Sequence, residues 1–298
     1  MFATIGRSFR LIKVCLHVLA VDKELVLFPV FSTIGMVLVL LTFLGVGIGI
    51  GALDRVGTGQ YSILDIVVAW MFYSICYFVS IFFNSALVFA AHERLAGGDP
   101  NIRSGLRGAS SCIGAIFVWA IIAGTVGLIL KILSNMARDA AEGEGGGVNI
   151  MGIIAQIIVA LVGAAWTMAT YFVVPCIVIE KLSLGAAFRS SLSMLRRTWG
   201  EQLTADFGLG LASLLAYILA GVITFILFLI LSPLGIVGVI GAIVVGIALF
   251  FGIFLIFATV EGIYKAALYN YAFDGEVPSL FPEDVIVGAF HERAAGTR

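Results

Sequence analysis

The sequence predicts an all-α fold: a polytopic transmembrane bundle of six helices with cytoplasmic interfacial amphipathic helices, built from three amphipathic-helix-plus-hairpin units. Three observations predict it. Of 298 residues, 61% are hydrophobic and 12% charged, about half the charged fraction of a soluble domain. The apolar residues gather into six runs, each reaching the roughly 20 residues a helix needs to cross the hydrocarbon. Short segments mixing apolar and basic residues stand before the odd-numbered runs.

Residues 1–20 come first. Phe2, Ile5, Phe9, Ile12, Leu16 and Leu19 recur at steps of three and four, one face of a helix. Arg7, Arg10, Lys13 and His17 interrupt the apolar core of a cleavable signal, so an amphipathic helix is expected instead. The spans follow at about 25–51, 62–91, 111–135, 150–179, 203–231 and 235–270. "LSPLG" (Leu231 to Gly235) parts the last two, because Pro233 and Gly235 favour a tight turn. Pro29 and Pro175 each lack a backbone donor and are expected to bend their helices. Residues 271–298 read as a cytoplasmic tail, in which Pro282, Glu283 and Asp284 begin a further short helix. Residues 1–298 read as a single transmembrane domain.

An even number of spans puts both termini on one side. Fourteen of the 17 Lys and Arg residues fall on that side, which the positive-inside rule makes cytoplasmic. Arg55, Lys131 and Arg138 remain outside, with the glycine-rich loop "RDAAEGEGGG" expected to be external and mobile.

The pair of an apolar residue and arginine recurs at Arg10, Arg103 and Arg189, each time before an odd-numbered span. Beside Arg103 and Arg107 run Ile102, Leu106, Ala109 and Ile113; beside Arg189 and Arg196 run Leu184, Phe188, Leu192, Leu195 and Trp199. Such a helix would sink its apolar stripe into the acyl boundary and offer Arg10, Lys13, Arg103, Arg107, Arg189 and Arg196 to anionic lipid headgroups. The competing reading packs the stripes on the bundle. The even-numbered helices also end alike, and aligning Gly98 with Gly275 sets Asn84 opposite Glu261.

Association in lipid depends on small residues. Gly208, Ala212, Ala216 and Ala220 mark one face of span five, and Gly238, Ala242 and Gly246 one face of span six. Ionisable groups at membrane depth are functional candidates by default. Asn84, Asp206, Glu261 and Lys265 are the set that would line a polar cavity open to the cytoplasm, although Glu261 and Lys265 have the spacing of a helical ion pair.

Cys15, Cys76, Cys112 and Cys176 are scattered in apolar stretches without metal-ligand spacing, so no metal and no cofactor is expected. There is no HExxH, GxSxG or P-loop, so no catalytic residue is assigned and an enzyme is a poor reading. A net charge of −1 argues against a nucleic-acid partner.

The three-unit plan, with "YFVVPCIVIE" and "FRSSLSMLRRTWG", resembles a group of uncharacterised six-helix bacterial membrane proteins, catalogued as domains of unknown function. That resemblance implies a multi-pass protein of the bacterial plasma (inner) membrane and supplies no catalytic or binding residue. The leading expectation is a non-enzymatic protein of membrane organisation, or a subunit of a complex, whose partners are anionic lipids and other membrane proteins or a second copy. A small transporter or channel with a cytoplasm-facing polar cavity is the alternative.

Overall fold

The computed structural model describes residues 2–56, 62–142 and 149–274, with side chains undescribed at 2–9, 53, 56, 196–207 and 274. The tail helix expected from Pro282, the glycine-rich stretch 143–148 and Gly275 lie outside the described residues.

The described chain is helical: α1 (Phe2–Val21), a 3-10 turn (Lys23–Val26), α2 (Leu27–Gly49), α3 (Ala52–Val56), α4 (Ile63–Leu95), α5 (Ile102–Ser111), α6 (Ile113–Ala141), α7 (Ile150–Thr170), α8 (Val173–Val178), α9 (Leu184–Leu231) and α10 (Ile236–Asp274). Six stretches among the described residues are long and apolar enough to cross a membrane: Lys23–Gly49, Ile63–Leu95, Ile113–Ala141, Ile150–Val178, Gly208–Leu234 and Ile236–Phe273. Their outward side chains are apolar, as at Leu38 (60% exposed), Leu161 (64%) and Ile247 (65%). Contiguous apolar surface on this scale needs hydrocarbon around it.

The chain divides into two compact units. The first comprises residues 1–30, 87–105 and 196–298. In it α1 lies on α10, and Val18, Leu25, Phe28, Val88, Val260, Ile263 and Tyr269 are fully buried. Gly262 lets α10 approach Leu87 so closely that an added Cβ would overlap that side chain. Farther along, α9 and α10 form a hairpin through the 3-10 turn Ser232–Leu234 and Gly235, whose φ of 71° favours glycine. Ala212, Ala220 and Ala242 are buried there, a Cβ on Gly246 would come 2.5 Å from Thr224, and Tyr217 stacks on Phe250 at 5.7 Å. The small-residue stripes are thus the buried faces, as expected of helices in lipid.

The second unit comprises residues 31–86 and 106–195. Gly35 admits Val79 of α4, and Gly124 and Gly127 of α6 admit Ser74 and Tyr77. Trp70 Nε1 donates to Thr125 Oγ1 at 3.1 Å. Helices α6 and α7 form a hairpin in which Gly152 lies against the backbone of Ala140 and Ala141. Asn149 caps α7 by accepting from Met151 N at 3.0 Å.

Two expectations about prolines separate here. Pro29 stands in the first turn of α2, where a missing donor costs least, so it needs no bend. Pro175 does break span four: α7 ends at Thr170 and α8 begins at Val173. The interruption falls at Tyr171, four residues before the proline, whose carbonyl the ring would otherwise strike.

Candidate functional site

The basic segments are built differently from one another. Helices α1 and α5 are separate from their spans, divided by the Lys23–Val26 turn and by Cys112. The third segment is not separate. It forms the start of α9, which continues through span five as one 48-residue helix. The expected third amphipathic helix is thus continuous in chain with span five.

The apolar stripes differ in burial from residue to residue. On α1, Ile12 and Leu19 are buried while Leu16 is 40% exposed; on α5, Ala109 is buried, and Ile113, which begins α6, is 49% exposed. Ile102, Leu106, Leu184, Phe188, Leu192 and Leu195 are half-buried. Phe188 sits 6.5 Å from the ring of Trp166, which in turn stacks on Trp119 at 6.0 Å. Part of each stripe is therefore buried or half-buried within the protein.

A different register recurs in all three segments. Arg10, Arg103 and Arg189 are exposed. Two residues on, Ile12, Gly105 and Ser191 are buried; five residues on, Cys15, Gly108 and Met194 are buried. Lys13 and Arg107 are exposed as well, and the side chain of Arg196 lies outside the described residues. Arg10, Lys13 and Arg103 belong to the first unit, Arg107 and Arg189 to the second. Burial pushes the Cys15 thiol up to about 12, the behaviour of a packed, inert cysteine.

Polar groups secure the surroundings of α1 and α5. In the first unit, Arg94 at the end of α4 makes a two-pronged ion pair with Asp22 and reaches Asp99 at 2.9 Å. Side-chain exposures of 18% for Arg94 and 10% for Asp22 make the pair a nearly dry one. Glu24 Oε2 accepts from Ile102 N at 3.2 Å, the first amide of α5. Asn101 and Ser104 complete that helix start reciprocally: Ser104 N donates to Asn101 Oδ1 at 2.9 Å and Asn101 N to Ser104 Oγ at 3.1 Å. His92 Nδ1 lies 2.7 Å from Asn270 Oδ1, joining α4 to α10. Only the identity of these residues, not their pairing, was visible in the sequence; the Asp22–Arg94 contact joins positions 72 apart.

In the second unit the opposite end of α4 carries its own clamp. Arg55 Nη2 donates to Asp65 Oδ1 at 2.5 Å and to Ile50 O at 2.9 Å, and Arg55 Nε to Asp65 Oδ2 at 2.8 Å. The hydrogen bond to Asp65 raises the Arg55 pKa above its ordinary value. Asp65 also accepts from Ser62 N at 2.8 Å, capping α4.

Two of the residues expected to line a polar cavity pair with each other. Lys265 Nζ lies 2.6 Å from Glu261 Oε1, with side chains 19% and 55% exposed. Asn84 is half-buried and belongs to the second unit, whereas Glu261 and Lys265 belong to the first. The Asp206 side chain lies outside the described residues. No group of His, Cys, Asp and Glu suited to a metal ion occurs among the described residues.

Six apolar helices with hydrocarbon-facing surfaces define a polytopic α-helical membrane protein. Residues 63–279 match a family of unknown function, DUF6159, and the chain belongs to that family. No curated protein matches it.

Proposed function

We propose that this is a non-enzymatic protein of the bacterial plasma membrane, organising anionic lipid at the cytoplasmic leaflet through arginines held on protein-docked helices. The observation that carries the reading is the exposure of Arg10, Lys13, Arg103, Arg107 and Arg189 on helices whose other faces are buried. Two spans separate each basic segment from the next, so all three share one side, and the excess of Lys and Arg there makes that side cytoplasmic. The guanidinium groups would meet phosphates electrostatically, as fixed points, with little acyl insertion. Pairing of Glu261 with Lys265 favours this over a transport pathway, since each neutralises the other.

Each cation near an anionic surface contributes about 1 kcal/mol. Replacing Arg10, Arg103 and Arg189 together with glutamine is therefore expected to lower the preference for phosphatidylglycerol over phosphatidylcholine on the order of 100-fold. Native mass spectrometry of the protein released from mixed nanodiscs reads that preference directly. Unchanged retention in a variant that keeps its helical content would refute the reading.

A further inference from the structure

We propose that the junction of α7 and α8 is a hinge in span four, and that the start of α9 holds it broken through Ser191. This inference stands apart from the lipid reading and rests on backbone accounting. In a continuous helix, Phe172 N–H would donate to Met168 O, and Ala169 O would accept from Val173 N–H. Instead Met168 O takes Tyr171 N at 3.3 Å. Phe172 N donates to Ser191 Oγ at 3.1 Å, and Ser191 Oγ donates to Ala169 O at 2.8 Å. One hydroxyl thus satisfies a donor and an acceptor on the two sides of the break. Ser191 is fully buried, so no water substitutes for it.

The neighbouring residues favour a second, continuous state only weakly. Pro175 has no backbone N–H with which to continue the helical ladder. Thr170 Oγ1 and Thr167 Oγ1 bond back to Trp166 O at 2.8 Å and Gly163 O at 3.0 Å, a pattern that bends helices. Phe188, one turn before Ser191, rests against Trp166 and positions the hydroxyl. Span four is therefore held in its broken form by a contact from another helix, and displacing α9 would free it to open or to re-form its own bonds.

Cys176, fully buried one turn beyond the break, reports on the hinge. In the full chain with Cys15, Cys76 and Cys112 replaced by alanine, reconstituted in nanodiscs, its rate of modification by a small membrane-permeant maleimide measures local opening. Ser191→Ala is expected to raise that rate about tenfold. Adding Pro175→Ala, which restores a backbone N–H at position 175 and so favours a continuous helix, is expected to bring the rate back towards the background. No increase in Ser191→Ala overturns the latch. An increase that Pro175→Ala leaves undiminished shows that Ser191 only fills space, and overturns the hinge.

Discussion

Lys181 holds a left-handed backbone, φ 54°, at the end of α8, where Leu182 N reaches back to Cys176 O at 3.2 Å. Glycine takes this conformation without a Cβ clash, as Gly97 does at φ 86° at the end of α4. Lys181→Gly is expected to stabilise the protein by about 0.5–1 kcal/mol, whereas Lys181→Ala gives no gain; thermal unfolding in one detergent distinguishes them. The glycine ending of α4 was readable in "LAGGDP", but nothing in "EKLSLG" marks Lys181 as left-handed, since lysine carries no such preference. Cys15 gives a pH signature. Its thiol titrates near 9.0 when unfolded and about 12 when folded, so the folded state keeps a proton that the unfolded state has lost. The stability this contributes is complete below pH 9.0 and is lost as pH rises towards 12. The unfolding midpoint should therefore fall less steeply across that window in Cys15→Ala than in the parent, measured over a common pH series.

Between elements, the nearly dry pair of Asp22 and Arg94 fastens the turn after α1 to the end of α4. Arg94→Gln strands the Asp22 carboxylate and is expected to cost about 3 kcal/mol; Asp22→Asn leaves Arg94 its exposed partner Asp99 and should cost less, and the double variant should cost less than the two together. A double-mutant cycle in urea measures the difference. Gly262→Ala forces a Cβ into Leu87 and is expected to cost about 1–3 kcal/mol, part of which Leu87→Ala restores. Close packing also bears on the basic segments, whose apolar stripes are partly buried. The periodicity of large residues pointed to Leu106, Leu192 and Leu195, which are half-buried. Among the buried positions of α5 and the start of α9 are Gly105, Gly108, Ala187 and Ser191, small residues on a neighbouring face. In lipid, large apolar residues are as content outside as inside, so the contact face is marked by what is small. The same logic made the Gly238–Ala242–Gly246 stripe legible, because there small residues were the signal. The continuity of α9 was hidden by polar residues around Arg196, Arg197 and Gly200, which suggest a loop but do not forbid a helix.

At the scale of the molecule, the six spans were legible because the bilayer sets a length that composition reveals. Asp65 near the start of α4 and Arg94 near its end each close an ion pair. What composition did not carry is the division into two units, which depends on pairings far apart in sequence such as α1 with α10. The central claim is that the arginines meet headgroups from helices docked on protein. Nitroxides placed singly at Lys13, Arg107 and Arg189 of the full chain in phosphatidylglycerol-containing nanodiscs test it by relaxation with three agents: oxygen in the acyl region, a nickel chelate in water, and nickel chelated to lipid headgroups. Strongest relaxation by the headgroup-bound nickel at all three positions is the expected result; strongest relaxation by oxygen, or by the aqueous chelate, would contradict the account.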